Sequence, residues 1–265
     1  MNLEKLCSQV CEIVRETGDF IRKESLNFDR SSVEFKSFNA LVSYVDTSAE
    51  KQLVENLGKL LPEAGFITEE ETISTDKKEL SWVIDPLDGT TNFVHAIPAF
   101  AVSVALMKDD EVIIGVVYEI SRDEMFYAWK DSVAFLNGNE ILASKVTSLE
   151  QSLIATGFPY QDFEGMQNYL DVLVHLMKNT QGLRRLGSAS VDLVYVACGK
   201  FEAYFEYGLS SWDVAGGILI AKRAGVQIAD FSGGNNYIFG GEIIASCPGI
   251  YSDFLELIKT SFNKE

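Results

Sequence analysis

Histidine is nearly missing from this chain: His95 and His175 are the only two in 265 residues. Chemistry that needs an imidazole base or a histidine-rich metal site is therefore all but excluded. Cysteine is also sparse. Cys7, Cys11, Cys198 and Cys247 show no CxxC pair and no zinc-ligand spacing, which leaves reduced, core or half-buried thiols of a reducing cytosol. Positive charge is outnumbered, with 22 Lys and Arg against 39 Asp and Glu, so the formal net charge is -17. Such a chain repels nucleic acid and anionic membranes, and neither is expected as a partner. No apolar run reaches membrane-spanning length; the longest, Ile97 to Met107, contains Pro98. The opening Met1-Asn2-Leu3-Glu4-Lys5 lacks the apolar centre of a signal peptide, so a soluble cytoplasmic protein is expected. There is no Gly-x-Ser-x-Gly elbow and no Walker loop.

What remains is a globular composition in a chain long enough for one large domain or two small ones. Leu3, Leu6, Val10, Val14 and Phe20-Ile21 recur at helical spacing, which predicts an amphipathic helix over residues 3–24. A second helix is expected from Thr47 to Leu61, with Thr47 and Glu50 as a capping box. Strands follow at Gly65–Thr68, Leu80–Asp85, Phe100–Lys108, Val112–Glu119, Met125–Trp129 and Val133–Leu136, with Asn137-Gly138 as a tight turn. Beyond residue 145 the pattern becomes alternating. Strands are predicted at Ser152–Gly157, Ala203–Glu206, Val226–Ala229 and Ile243–Ser246, and helices at Met166–Lys178, Val191–Cys198, Val214–Ala224 and Tyr251–Phe262. The expected division is an α+β half over residues 1–145 and an α/β half over 146–265. With no linker between them, they should share an interface that holds the site.

The chemistry concentrates in Trp82-Val83-Ile84-Asp85-Pro86-Leu87-Asp88-Gly89-Thr90-Thr91-Asn92-Phe93. An apolar strand delivers two carboxylates, and a helix start follows at once. Carboxylates hold hard cations such as Mg²⁺, and backbone N–H groups at a helix start hold phosphate. Bound cations would also remove the objection that so acidic a protein repels a phosphate substrate. Asp-Pro and Asp-Gly are equally common turn pairs, and Asp88 could be a helix cap alone. Glu69-Glu70-Glu71 would place a carboxylate beside Asp85 if its strand neighbours Leu80–Asp85, or it could be a solvated acidic loop. Ser211-Trp212-Asp213-Val214-Ala215-Gly216-Gly217 opens a helix with an acid, and its small residues would permit close packing.

Together these segments resemble the inositol monophosphatase family, in order and spacing, over essentially the whole chain. Asp85-Pro86-Leu87-Asp88-Gly89-Thr90-Thr91-Asn92-Phe93 and Trp212-Asp213-Val214-Ala215-Gly216-Gly217 are similar to its two signatures, and Glu69-Glu70 to its Glu-Glu pair. The resemblance implies a layered α-β-α-β-α sandwich and a homodimer. It implies a Mg²⁺-dependent, lithium-sensitive phosphomonoesterase that hydrolyses inositol monophosphate by direct attack of a metal-activated water. Glu69, Asp85 and the Leu87 carbonyl would bind the first ion, and Asp85, Asp88 and Asp213 the second. A third ion near Glu69 is implied by the family, although Ala40 stands where an acid is common. Thr90, hydrogen-bonded towards Glu69, would orient the attacking water, so Glu69, Asp85 and Thr90 are the implied catalytic residues. The N–H groups of Gly89 and Thr90 would hold the phosphate, and Asp88 would also contact the substrate. Gly187, Ser188, Ala189, Glu206 and Asp213 would meet the leaving group. For Glu206 the alternative is a surface residue at a strand end. The small phosphorylated substrate could instead be NADP at its 2′-phosphate, fructose 1,6-bisphosphate or adenosine 3′,5′-bisphosphate. A non-catalytic phosphate-binding module is the remaining alternative. An aspartate-nucleophile phosphatase of the haloacid-dehalogenase type is disfavoured, because Asp85 and Asp88 have two residues between them where that class needs one.

Overall fold

The structure, a computed structural model, describes residues 1–29, 33–37, 40–74, 77–158 and 165–262. Helix α1 (Leu3–Ser25) buries the face that the spacing predicts, with Leu6, Val10, Val14 and Ile21 inside. A hairpin of β1 (Glu34–Ser37) and β2 (Ala40–Val42) leads into α2 (Tyr44–Leu60). The expected Thr47/Glu50 capping box is not used. Ser43 is the N-cap and its N–H donates to Asp46 Oδ2 at 2.9 Å, so the helix begins at Tyr44.

Seven strands form the first sheet: β3 (Gly65–Thr68), β4 (Leu80–Asp88), β5 (Ala101–Lys108), β6 (Glu111–Glu119), β7 (Glu124–Trp129), β8 (Ala134–Leu136) and β9 (Asn139–Ile141). Their spatial order is their chain order, and every pairing is antiparallel except β3 with β4. The short helix α3 (Thr90–Val94) separates β4 from β5. Asn137 and Gly138 both take positive φ, and they turn β8 into β9 as a tight hairpin. The second sheet contains β10 (Leu153–Thr156), β11 (Gly182–Arg184), β12 (Ala203–Tyr207), β13 (Gln227–Ala229) and β14 (Glu242–Ser246), in the order β11-β10-β12-β14-β13. Its helices are α4 (Met166–Asn179), α5 (Ala189–Ala197), α6 (Ser211–Arg223) and α7 (Tyr251–Phe262).

Three apolar cores stack these parts into five layers. One core joins α1 and α2 to the outer face of the first sheet through Val14, Leu53, Trp82, Val104 and Tyr118. The largest fills the space between the sheets with α5 and α6, including Leu193, Val194, Ile218 and Ile220. The third seals α4 and α7 onto the far face of the second sheet through Tyr169, Phe205, Phe254 and Ile258. The layer order is therefore α-β-α-β-α, as the resemblance implies. Both faces of the first sheet are covered, and this explains why β5 and β6 read as unbroken apolar runs instead of alternating.

Helix α6 lies unusually close to the first sheet. A Cβ at Gly216 would come 2.5 Å from Ser103 Oγ and 3.2 Å from Val116 O, and one at Gly115 would collide with Gly216 O. Only glycine permits that approach, and it fixes how far the first turn of α6 reaches over the end of β4.

Candidate active site

Asp85 and Asp88 are three residues apart, so in a regular strand they would face opposite sides of the sheet. β4 is not regular there. Asp85 pairs with Ser103 and Asp88 with Ala101, so three steps along β4 match two along β5. The extra residue forms a bulge that turns both carboxylates to one side. Pro86 suits that position because it has no N–H to contribute to the ladder. The Leu87 N–H donates to Asp85 Oδ1 at 3.0 Å and braces the bulge. The strand thus runs through the motif to Asp88 instead of ending at Asp85. Gly89 follows at φ 91, and Thr90 opens α3.

Asp213 comes from the opposite side. It is the third residue of α6, where Oδ2 accepts from the Ser210 N–H at 2.6 Å, so it braces the helix start rather than capping it. Carboxylate oxygens of Asp85, Asp88 and Asp213 all lie within 4.8 Å of one another. Glu69, just past β3, lines the same cleft of about 200 Å³ with Leu87, Gly89, Thr90 and Gly187. Glu69 and Asp85 are within hydrogen-bond reach. Two bare carboxylates can sit so close only by sharing a proton, or with a cation between them.

The electrostatics agree. Burial, reinforced by Glu69, Asp88 and Asp213, pushes the Asp85 carboxyl well above its ordinary range. Asp213 is likewise pushed well up by burial and by Asp88 and Glu69. Asp88 is raised by burial, although donors from Ser188 and Ser190 work against the shift. A buried all-oxygen donor set that repels itself fits a hard divalent cation, so the residues present suit Mg²⁺.

The surrounding hydrogen bonds explain how the set is held. Asp88 Oδ2 accepts from Ser188 Oγ at 2.7 Å, the Ser190 N–H at 2.7 Å and Ser190 Oγ at 2.5 Å. All three donors belong to the cap and first turn of α5, so this helix start fixes the Asp88 carboxylate. Glu50, fully buried in α2, accepts from the Glu70 N–H, the Thr72 N–H and Thr72 Oγ1, each at 2.7 Å. This is what Glu50 does in place of capping: it anchors the loop that carries Glu69. Asn92 donates to Ala99 O at 2.7 Å and Leu186 O at 2.8 Å, tying the Gly187 segment to α3.

One expected contact is replaced. The Thr90 hydroxyl donates to Asp46 Oδ1 at 2.8 Å, with Leu87 O also near at 3.0 Å, and not towards Glu69. Asp46 is 1% exposed, and burial raises its carboxyl despite bonds from Ser43 and Thr90. Sequence reasoning passed over Asp46 as a site residue, and likewise Ser190, Glu50 and Asn92. The local signals for Asp46 are the Ser43-x-x-Asp46 cap, which does not point to a catalytic cleft, and its place at the end of the Lys36 to Asp46 run, which is similar to a family pattern. The side chains of residues 34–41, which include Ala40, lie outside the described ones.

A second cavity of about 140 Å³ adjoins the first and shares Asp88, Gly187 and Asp213 with it. Ser188, Ala189, Asp192, Arg185 and Glu206 line it. Glu206 is buried, not a surface residue. Its carboxylate accepts from the Tyr204 hydroxyl at 2.6 Å, and burial pushes its carboxyl to about 7. Gly157 makes room for it, because a Cβ there would collide with the Glu206 carboxylate. His95 and His175 are both exposed, and all four cysteines are free thiols. Among the described residues no helix is long and apolar enough to cross a membrane.

Fold and site together define a layered α/β protein with a carboxylate-rich centre between its two sheets. The chain belongs to the inositol monophosphatase family, whose pattern matches residues 2–262. It is similar to Nus factor SuhB of Escherichia coli strain K12, at 38% identity over 91% of each chain. The putative Nus factor SuhB of Neisseria meningitidis is 39% identical over 92% of this chain and 94% of its own. Among solved structures, the inositol monophosphatase from Anabaena (Nostoc) sp. PCC 7120 superimposes with a TM-score of 0.86 at 30% identity, covering 98% of this chain and 97% of that one. Membership of this family carries metal dependence, which the acidic cluster suits.

Proposed function

We propose that the chain is a Mg²⁺-dependent phosphomonoesterase that hydrolyses inositol monophosphate. The observation that carries this reading is the convergence in one cleft of Glu69, Asp85, Asp88 and Asp213 with the Thr90–Asp46 pair. Glu69, Asp85, the Leu87 carbonyl, Asp88 and Asp213 would hold two ions. When bound, these supply positive charge that neutralises the phosphate and the charge developing as it transfers. Thr90 and Asp46 handle the water. The Thr90 hydroxyl donates to Asp46 and so turns a lone pair towards the cleft. A water donating to that lone pair is oriented for attack on phosphorus. As its oxygen bonds to phosphorus, the bond from phosphorus to the ester oxygen breaks and the inositol oxygen leaves, taking its proton from solvent. The attacking water's proton can pass to Thr90 while Thr90 gives its own to Asp46, whose raised affinity for protons suits the task. Backbone N–H groups at Gly89 and Thr90 would hold phosphate oxygens, with the α5 segment Gly187-Ser188-Ala189 and Glu206 receiving the alcohol.

The test is phosphate release with Mg²⁺ from inositol monophosphate, fructose 1,6-bisphosphate, NADP and adenosine 3′,5′-bisphosphate. Fastest turnover of inositol monophosphate, lost in Asp88→Asn, is the expected result. Preference for a bisphosphate or NADP would reassign the substrate, and binding without release from any of them would point to a non-catalytic phosphate-binding module. Cytoplasmic location, lithium inhibition and a homodimer belong to the same proposal. The name Nus factor, carried by relatives 38% identical over 91% of this chain, favours a second reading in which the chain also serves as a Nus factor. Complementation of a strain lacking that relative, using Asp85→Asn, asks whether such a role needs the site at all.

A further inference from the structure

The cavity beyond the metal ligands contains an acid with no structural task. Asp192 lies on α5, one turn after the serines that hold Asp88, and its neighbours Val191, Leu193 and Val194 are core residues. It is 1% exposed, yet it lines the leaving-group cavity beside Glu206, Gly157 and Asp213. Its Oδ1 has no hydrogen-bond partner among the described residues. A buried carboxylate oxygen with no donor is costly, and neighbouring acids Glu206 and Asp88 add to the cost; Arg185 is its cationic neighbour. Every other buried acid around this cleft accepts a hydrogen bond; Asp85 accepts from the Leu87 N–H. Asp46, Asp88 and Asp213 hold helix starts or side-chain hydroxyls, Glu50 holds a loop, and Glu206 accepts from Tyr204. A group left without a partner in a cavity that admits a ligand is most simply completed by the ligand.

We propose that Asp192 is a specificity residue that pairs with a hydroxyl of the leaving group, so that Asp192 and Glu206 together read two hydroxyls of a cyclic polyol. This rests on the phosphatase reading, which it deepens by naming what the alcohol must present. Two carboxyl groups facing one small cavity suit neutral hydroxyls and disfavour a second phosphate placed between them. The discrimination is largest against alcohols that lack hydroxyls, because they leave both acids unpaired.

The test compares the full-length wild type with Asp192→Asn and Asp192→Leu, using myo-inositol 1-phosphate and phenyl phosphate with Mg²⁺. Binding of myo-inositol 1-phosphate is also measured by calorimetry with Ca²⁺ in place of Mg²⁺. The expected result is a KM for the inositol ester raised about tenfold with kcat within twofold, a matching loss in calorimetric affinity, and phenyl phosphate kinetics within twofold of wild type. The melting temperature should hold or rise, since each substitution removes a buried carboxyl group that Glu206 and Asp88 repel. Equal losses on both esters, no change on either, or a fall in melting temperature would overturn the assignment. If the wild type releases phosphate from neither ester but binds the inositol ester, and Asp192→Asn weakens that binding, the phosphatase reading falls and Asp192 keeps its role. No binding of the inositol ester by the wild type would overturn the role of Asp192 as well.

Discussion

One wall of the cleft, carrying Asp85, Asp88 and Thr90, comes from six consecutive residues, whereas the facing wall is gathered from α5, β12 and α6. The first wall is set by local backbone geometry: a bulge at Pro86-Leu87 and a left-handed Gly89 decide where its side chains point. The second wall is set by packing. Ser188, Ser190 and Asp213 reach the site because α5 and α6 are pressed between the two sheets, and Glu206 comes from β12. The first wall, proposed to do the chemistry, should therefore be sensitive to single side chains. The second, proposed to receive the alcohol, should be sensitive to how its helices seat.

The sharpest way to break the comparison is at Asp85, which is proposed to contribute to both ion sites. Asp85→Asn should lower Mg²⁺-dependent turnover of inositol monophosphate by about 10³-fold or more while leaving the circular dichroism spectrum unchanged. Retained turnover would mean that the contiguous wall is not the catalytic one. Thr90→Val comes next. It removes the hydroxyl that donates to Asp46, and kcat should fall about 10²- to 10⁴-fold with little change in KM. A change confined to KM would make Thr90 a binding residue only.

A third prediction concerns seating. Gly216→Val forces a side chain into Ser103 Oγ and Val116 O, so it should destabilise the fold by about 1–3 kcal/mol in urea unfolding and shift Asp213 out of the cluster. Mg²⁺ titration of that variant should need more metal for half-maximal activity, and unaltered stability would show that α6 tolerates a wider gap. The smallest effect is in pH. Burial raises Asp85, Asp88, Asp213 and Glu206, and Glu206 moves from 4.5 to about 7. In that window the folded, metal-free chain binds more protons than the unfolded one, so its stability falls as pH rises from about 4.5 towards 7. Mg²⁺ replaces the lost protons at Asp85, Asp88 and Asp213, so its effect on melting temperature should grow over the same window; a constant or shrinking effect would contradict the assignment of these acids as ligands.

Long apolar patterns were readable in the chain, as were some short ones such as β3, β8 and β13, but not every short or polar one. Helix α7 runs from Tyr251 to Phe262, where the spacing places it, and α1 ends one residue beyond the predicted limit. Strands of three or four residues, β1, β2, β9 and β11, give too few positions for a period to show. Helices α5 and α6 begin earlier than predicted, because Ala189-Ser190 and Ser211-Trp212-Asp213 open them with residues outside the apolar repeat. Glu50 misled for a physical reason. Its position three after Thr47 fits a capping box, but its carboxylate finds two backbone N–H groups of the next loop instead.

What the sequence determined by itself is the chemistry on offer. Two carboxylates around a proline, a glycine and a threonine in one short run offer the groups that suit a hard cation and a phosphate, because ligand preference is a property of side-chain type and local backbone. The tertiary structure decided the partnerships. Asp46 meets Thr90 across 44 positions of chain, Ser190 meets Asp88 across 102, and Asp192 is left facing a cavity. Such meetings depend on how closely helices and sheets pack, and at Gly216 that closeness is set by the absence of a single methyl group.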